Sequence, residues 1–308
     1  MIQAITSIYP RLRIAAIFLI TTLALTPARP SMAWDGGASA ASFGDAIQDY
    51  FLDWFSRVTR IQNEQPHWIT PLVTVTPRLE EELRYDQFWQ SRPHGVATDN
   101  FGGGKGLELI PFQNIEVILG IPAWIAHNGA IQRASAKKHP LTDGWADETF
   151  LIKYRLLSAN EEAGNYIVTA FMGFSAPTGD DGNSNHHGIF TPTIAAGKGF
   201  GNFDVQTTAG IALPDGGLQR LGMPLNWNAA FQYHVLRYFW PEFEVNYTWW
   251  PNGEREGESQ VFLTPGIVIG RIPIHDRVGL TIGAGYQVAV TKNPEYNHSV
   301  IFSGRIPV

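Results

Sequence analysis

The chain lacks cysteine altogether and carries little charge. Without cysteine, its 308 residues form no disulfide, no thiolate metal site and no thiol nucleophile. Charged residues make up 16% of the sequence, where soluble globular domains have about 25%. Acidic residues outnumber basic ones by 28 to 22. The formal net charge of -6 argues against nucleic acid as a partner, because binding it needs a basic surface.

Long apolar runs are scarce as well. The mean hydropathy of -0.09 excludes a bundle of membrane-spanning helices, each of which needs about 20 apolar residues. Aromatic and small residues are abundant instead: aromatics reach 12%, and there are 31 glycines. With 44% hydrophobic residues, the sequence also lacks the composition of a disordered chain.

The first 33 residues have the pattern of a signal peptide. Arg11 and Arg13 precede an apolar run, 14–25, that is too short to span a membrane as a helix. A small-x-small site, Ser31-Met32-Ala33, follows it. We expect cleavage after Ala33 and export of the rest, the alternative being an N-terminal membrane anchor.

Residues 34–69 form an extension in which apolar residues recur at helical spacing. The recurring residues are Phe43, Ile47, Tyr50, Phe51, Trp54, Phe55, Val58 and Ile61. Ser42 can cap the helix, and Pro66 lies beyond its end. The pattern predicts an amphipathic helix over 42–63, which either packs on a neighbour or partly closes a pore.

From residue 70 onward the period changes from 3.6 to 2. In 278–290, for example, Val, Leu, Ile and Tyr alternate with Gly, Thr and Gln, as in a strand with one apolar face. The candidate strands are 72–85, 103–112, 114–126, 144–157, 164–176, 188–198, 202–213, 224–236, 239–250, 257–270, 277–290 and 297–306. Most are long enough for the roughly 9–11 residues with which a strand crosses a bilayer. The connections alternate between tight turns and longer polar loops, as in outer-membrane barrels.

A soluble barrel would show the same alternation with its apolar face turned inward. Three features favour a membrane barrel: the signal peptide, the charged residues in the middle of the polar faces, and aromatic residues near the strand ends. Those aromatics are Tyr85, Trp89, Phe101, Trp124, Trp145, Trp249, Trp250 and Tyr296. We therefore predict an all-β fold over 70–308, a transmembrane antiparallel β-barrel of about twelve strands in the bacterial outer membrane.

The charged residues of the polar faces are the candidate pore lining, since charge faces lipid only at high cost but can line a wet lumen. They are Arg78, Glu80, Glu82, Arg84, Glu116, Lys153, Arg155, Asp204, Glu242 and Glu244. Such charges either pair with one another and fill the lumen together with the helix, or form an eyelet that sorts solutes. The pattern leaves both open.

Turn and strand-end motifs also point to a family. They lie in 174–182, Thr191-Pro192, 197–201, Glu108-Leu109, Glu116-Val117 and 119–122. Together they resemble a bacterial outer-membrane transporter family named for the meta-pathway of phenol degradation. The resemblance implies passage of aromatic or other apolar small molecules, and its motifs carry no catalytic residue.

Other motifs carry less chemistry. The glycine-rich stretch 102–106 lacks the Walker spacing and opens a strand instead of a helix. His186 and His187, near two aspartates, could hold a divalent cation but fit a solvated loop better. His298 and Ser299 are adjacent, so a strand points them to opposite faces and they cannot form a nucleophile–base pair. We predict no catalytic residue, no metal and no cofactor.

The sequence thus predicts a passive outer-membrane channel for small, aromatic or hydrophobic molecules. Its partners would be outer-membrane lipid and small-molecule solutes, not nucleic acid, with the oligomeric state left open. A closed structural or interaction barrel is the alternative, and an outer-membrane lipid hydrolase is a third reading.

Overall fold

A computed structural model describes residues 43–92, 97–103, 105–128 and 142–308. The predicted signal peptide, 1–33, lies outside these residues. Residues up to Asp49 belong to one compact unit and Tyr50–Val308 to a second, and the barrel is described within the second. Of the helices described, none has the length and apolar character to cross a membrane.

The predicted helix over 42–63 is present as two helices, α1 (Phe43–Leu52) and α2 (Trp54–Asn63). In α2, Val58 and Ile61 are fully buried, and they pack with Leu79 and Ile110. The opposite, polar face of α2 is exposed, which is what its amphipathic sequence predicts.

Strand segments make up most of the remaining chain and belong to one antiparallel sheet. They are β1 (Glu82–Ser91), β2 (Ala97–Phe101), β3 (Gly106–Phe112), β4 (Ile115–Gly120), β5 (Trp124–Asn128), β6 (Gly144–Trp145), β7 (Glu148–Ala159), β8 (Tyr166–Ala176), β9 (Ile189–Phe200), β10 (Phe203–Ile211), β11 (Leu213–Pro214), β12 (Leu225–Tyr233), β13 (Phe239–Trp249), β14 (Ser259–His275), β15 (Val278–Ala289) and β16 (His298–Pro307). A four-residue helix, α3 (Leu218–Leu221), lies in the connection after β11.

The sheet closes into a barrel of twelve strands. Four pairs of segments, β2/β3, β4/β5, β6/β7 and β10/β11, are each successive parts of one barrel strand interrupted by a short irregularity. Closure comes from β1, which pairs with β16 from Glu82 opposite Pro307 to Ser91 opposite His298. The predicted fold class is confirmed.

The connections differ between the two ends of the barrel. At one end, which we call the short-turn end, β3 and β4 are joined through residues 113–114 and β9 and β10 through 201–202. Both Glu82 and Pro307, where the barrel begins and ends, lie at this end. The other end, the long-loop end, carries the longer connections, such as 177–188.

Outward-facing side chains make an apolar exterior. In β1, Leu83 and Tyr85 are each 45% exposed and Trp89 is 43% exposed, whereas Glu82 and Arg84 between them are buried on the inner face. Large exposed hydrophobic residues recur in this way on all sides of the barrel. Such a continuous apolar surface suits lipid contact and would be a liability in water.

The predicted first strand, 72–85, is wrong in its first part. The strand β1 begins only at Glu82, and residues 64–81 form a coil inside the barrel, which we call the inner segment. Pro71 and Pro77 interrupt this stretch and cannot donate to a ladder. Its alternation of Val and Thr therefore reflects packing inside the lumen and not a strand facing lipid. Strand β2, in turn, lies in a stretch predicted as a loop.

Glycines on the inner wall make room for the inner segment. A Cβ at Gly266, Gly283 or Gly285 would come within 2.6–2.7 Å of the Leu72 side chain, which is 1% exposed. A Cβ at Gly197 would likewise come within 2.5 Å of the Trp68 ring. The small residues of the polar faces thus mark where the inner segment docks.

We expect Gly283→Leu to displace the inner segment, because overpacking a filled site costs about 1–3 kcal/mol. The chain has no cysteine, so Thr76→Cys, at a position with 0% exposure, places a single thiol in the inner segment. In that background Gly283→Leu should speed thiol labelling while the barrel stays folded by heat-modifiable gel mobility. Gly304→Leu, where a Cβ meets only a contact at 3.8 Å, is the control. Equal labelling in both would contradict the packing described.

Candidate functional site

The ten predicted pore-lining residues all lie inside the barrel, and none is more than 6% exposed. Eight are on the wall, in the half of the lumen nearer the short-turn end. They are Glu82 and Arg84 in β1, Glu116 in β4, Lys153 and Arg155 in β7, Asp204 in β10, and Glu242 and Glu244 in β13. Arg78 and Glu80, predicted on the first strand, belong instead to the inner segment.

Wall carboxylates accept hydrogen bonds from the backbone of the inner segment. Glu244 takes the N–H groups of Val73 at 2.8 Å and Thr74 at 2.6 Å. Glu242 takes the N–H of Leu72 at 3.1 Å. Since Leu72–Thr74 form no ladder, these carboxylates satisfy N–H groups that would otherwise be buried without a partner.

A further wall carboxylate does the same on the opposite side of the lumen. Glu116 accepts the N–H of Glu80 at 2.6 Å. The inner segment also accepts a hydrogen bond from the wall, because the Glu81 side chain accepts the N–H of Ile110 in β3 at 3.0 Å. Donors and acceptors thus run in both directions between coil and barrel.

Wall cations donate to carbonyl groups of the inner segment. Arg84 donates to the Leu72 carbonyl at 2.6 Å, and Lys153 donates to the Arg78 carbonyl at 3.1 Å. Arg305 donates to the carbonyls of Thr70 and Pro71. Both halves of the peptide groups are therefore matched by wall side chains of the appropriate charge.

Neutral wall residues form hydrogen bonds with the inner segment on the remaining sides of the lumen. Gln206 in β10 accepts from the Thr76 hydroxyl at 2.7 Å, and Thr169 in β8 donates to the Pro77 carbonyl at 2.5 Å. With the charged contacts, the inner segment is held by β16, β1, β13, β10, β8, β7, β4 and β3. It thus passes around most of the inner wall and occupies this half of the lumen.

Ion pairs neutralise several of the buried charges. Lys153 pairs with Glu116 at 2.9 Å with both side chains fully buried, and Arg78 pairs with Glu80 at 2.8 Å. Arg155 pairs with Glu64, at the beginning of the inner segment, at 2.8 Å. Removing one partner of a fully buried pair such as Lys153–Glu116 leaves an uncompensated buried charge, which costs about 3–5 kcal/mol.

Sequence reasoning missed several residues of this network, notably Arg305, Asp86 and Gln206. In the last strand, Arg305 lies on the same face as Ser303, and the apolar Phe302 and Ile306 lie on the other face. The alternation therefore indicates that Arg305 points inward. Asp86, which pairs with Arg84 at 2.8 Å, lies just beyond the end of the predicted strand.

The half of the lumen nearer the long-loop end has a different lining. It contains a cavity of about 240 Å³ lined by neutral side chains. The lining includes Val75 from the inner segment, Leu151 and Phe171 from the wall, and threonine, asparagine and glycine residues of β8, β9, β10 and β12. This space would accept a small, uncharged, partly apolar solute.

A second cavity, of about 500 Å³, opens at the short-turn end between the inner segment and β12–β16. Trp68, Thr70, Arg78 and Glu80 of the inner segment line one side of it. The inner segment therefore borders both cavities, and it stands between the neutral half of the lumen and the charged mouth.

The start of the inner segment is tied to the turn between β7 and β8. The Glu161 carboxylate accepts the backbone N–H of His67 at 2.6 Å, and the His67 ring Nδ1 lies 2.8 Å from it. Burial alone would raise the pKa of Glu161, but the hydrogen bonds from His67 outweigh burial. They hold the pKa below its ordinary value of 4.5.

The other motifs considered in the sequence, His298-Ser299 and His186-His187, do not belong to this network. Ser299 is fully buried on the inner face, while the His298 ring stacks on the outward-facing Tyr286 with centroids 5.8 Å apart, so the predicted opposite directions are confirmed. The ring of His187 lies 3.4 Å from Asp215. Within the part of the chain that the structure describes, no group of three His, Cys, Asp or Glu residues is arranged to hold a metal ion.

No family model and no curated protein matches the sequence. Among solved structures, an outer membrane channel from Pseudomonas putida F1 is 14% identical over 74% of this chain and 94% of its own, with a TM-score of 0.49. A monoaromatic hydrocarbon channel is 10% identical over 88% and 94%, with a TM-score of 0.37. Outer membrane phospholipase A from Escherichia coli is 12% identical over 76% and 99%, with a TM-score of 0.33. Likenesses this distant do not extend a function to this chain.

Glu244→Ala should loosen the inner segment. Each hydrogen bond to a charged acceptor contributes about 1.5–3 kcal/mol, and the substitution removes both of those from Val73 and Thr74. Labelling of a thiol at position 76 should then rise about tenfold or more. Glu256→Ala, in an exposed loop, is the matched control. Unchanged labelling in Glu244→Ala would show that the carboxylate does not hold the segment.

Acid should weaken the tie between His67 and Glu161. A carboxylate whose folded pKa is lowered contributes stability above its unfolded pKa and loses it as pH falls through the folded value. Amide hydrogen exchange of residues 64–70, corrected for its intrinsic pH dependence, should therefore become faster below pH 4.5, the ordinary pKa of the group. Glu161→Gln should lose this part of the pH response, while Glu162→Gln in the same turn should keep it. A response shared by all three proteins would rule out Glu161 as its source.

Proposed function

We propose that the protein is an outer-membrane channel in which the inner segment is a resident plug. Small, aromatic or hydrophobic molecules would pass by diffusion, without a chemical step or a cofactor. The short-turn end would face the periplasm and the long-loop end the exterior, as in outer-membrane barrels generally. The apolar exterior would contact outer-membrane lipid.

One observation carries this proposal: a single coil of chain borders two cavities, of about 240 and 500 Å³, inside a closed barrel. A barrel built only as a scaffold has no need for space on both sides of its filling. Displacing residues 70–80 would join the two cavities and make a continuous path along the barrel axis.

Most contacts that hold the plug can be replaced by hydrogen bonds to water in the lumen. They are mainly hydrogen bonds between backbone groups and charged side chains, such as Glu244 and Arg305. When the plug moves, water can solvate the same charges, so movement costs far less than exposing them to lipid. The apolar contact of Leu72 with the wall glycines is the part that water does not replace.

The type of solute follows from the lining of the 240 Å³ cavity near the long-loop end, which we call the outer cavity. Phe171, Leu151 and Val75 offer apolar contact, while the neighbouring threonine and asparagine residues offer uncharged polar groups. The sequence resemblance to a transporter family named for phenol degradation supports the same class, namely small aromatic molecules.

The closed structural barrel is the second candidate, and the density of the docking contacts favours it. The inner segment is bonded to eight segments of the wall, and the Lys153–Glu116 pair within this network is fully buried. A barrel held closed in this way would present its loops and helices to partners and would conduct nothing.

Conductance of the mature chain and two truncations separates these functions. Removal of 34–63 deletes the helices but keeps the plug, so the current should stay close to that of the full chain, which we expect to be small. Removal of 34–81 deletes the plug as well and should give large, discrete steps, because it takes away the coil that the structure places in the lumen. The measurement is single-channel recording in planar bilayers on protein shown to be folded.

Silence of all three proteins would overturn the channel and favour the structural barrel. Large steps already after removal of 34–63 would mean that the helices, and not residues 64–81, close the pore. For the solute, block of the current by a neutral aromatic such as benzyl alcohol, with Phe171→Ala reducing the block, is the expected result.

A further inference from the structure

The lining of the cavity at the short-turn end carries more positive than negative charge. Its lining includes the arginines Arg78, Arg237, Arg271, Arg277 and Arg305. The acidic residues among its lining are Glu80, Glu82 and Asp276. One of these acids, Glu80, is already paired with Arg78, and Asp276 lies 3.1 Å from the ring of His275. Positive charge therefore exceeds negative charge at this mouth, although the whole chain is acidic.

From this cavity we infer a site for a small aromatic carboxylate, of the benzoate type, at the periplasmic mouth of the proposed channel. The inference rests on the proposed function, because it assigns the site to a solute on that path. It extends that function, because it implies that the mouth selects solutes by their charge. The outer cavity, with its neutral lining, makes no such selection.

Two of the arginines have no described acidic group within salt-bridge distance, although the charge of Arg271 also acts on Glu80 at longer range. Within the described residues, the guanidinium groups of Arg237 and Arg271 form no salt bridge and no hydrogen bond, and Arg237 lies over the Tyr238 ring at 5.1 Å. Both side chains are exposed at the open side of the cavity. A carboxylate placed there would gain a charge-assisted, bidentate contact with a planar guanidinium.

The fold directs Arg271 toward this site. Between Ile269, opposite Ile282, and Ile272, opposite Leu280, strand β14 has one residue more than β15. Thr281 therefore faces both Gly270 and Arg271, and all three line the cavity. A β-bulge of this type re-aims a side chain that regular alternation would place elsewhere.

Two further donors in the lining lack an acceptor. The indole Nε1 of Trp68 and the Nε of Arg78 are buried and have no hydrogen-bond partner among the described residues. The two residues are 4% and 6% exposed. A buried donor without an acceptor costs about 1–3 kcal/mol, and an anion in the cavity would supply acceptor oxygens to this side of it.

The same lining suits an aromatic ring. Trp68, Tyr238 and Trp240 contribute to it, and the His234 ring stacks on Trp240 with centroids 4.1 Å apart. A volume of about 500 Å³ lies within the range of small-molecule sites. Aromatic faces beside guanidinium groups match a ring that bears one carboxylate better than an inorganic anion.

The test is calorimetric titration of the full mature protein with benzoate and, as an uncharged aromatic of similar size, benzyl alcohol. We expect benzoate to bind more tightly than the alcohol. Arg271→Gln and Arg237→Gln should each weaken benzoate about tenfold, as expected for one lost charge-assisted bond, and leave the alcohol unchanged. Arg220→Gln, in α3 near the long-loop end, removes an equal charge away from the site and should change neither.

Equal binding of the two ligands, or equal losses in Arg271→Gln and Arg220→Gln, would overturn the inference. Reversal potentials in bilayers give a second readout: the wild type should prefer anions, and Arg271→Gln should reduce that preference.

Should the full chain and its truncations stay silent while benzoate binds with the predicted variant pattern, the channel would be overturned and the site would stand. Should they conduct without distinguishing the ligands or responding to Arg271→Gln, the site would be overturned and the channel would stand.

Discussion

The structure depends on hydrogen bonds between the charged inner wall of the barrel and the backbone of one coil, residues 64–81. A closed barrel of this size has more interior than its own wall residues fill, the more so where the wall residues are glycine. Chain that enters the lumen brings peptide groups that must be satisfied. Carboxylates such as Glu244 take the N–H groups, and cations such as Arg305 take the carbonyls. Without this matching, the inner segment would be expelled or the wall charges would be buried unpaired.

The same matching divides the lumen in two. The charges that contact the inner segment lie in the half at the short-turn end, and the cavity in the long-loop half is lined by neutral polar and apolar side chains. A solute entering from the long-loop end would meet a site without charge and then a basic mouth. In the proposed channel Arg78 would serve both purposes, since it pairs with Glu80 in the inner segment and also lines the mouth.

Much of the fold could be predicted from alternation alone, because a strand with lipid on one side and a wet interior on the other has an unambiguous period. Strands such as β13 and β15 lie within a few residues of their predicted bounds. The stretch 72–81 has the alternation of a strand because Val73 and Val75 alternate with threonines, although the segment lies inside the barrel and is buried on every side. Pro77 was the one local signal against a strand. The inward residues of the wall were found by parity, and Arg305 was missed only because its strand was read for its apolar face.

The sequence by itself determined the twelve-stranded barrel, its apolar exterior and the sign and type of the residues facing inward, since each of these follows from the order of side chains along a strand. Only the tertiary structure decided which partners those inward residues have. The contacts of Glu242 with Leu72 and of Lys153 with Arg78 join positions far apart in the chain. No local pattern encodes such contacts, because they form only when the closed barrel brings its wall around the coil. Whether the wall charges line open water or hold a coil of chain was therefore decided by closure and packing.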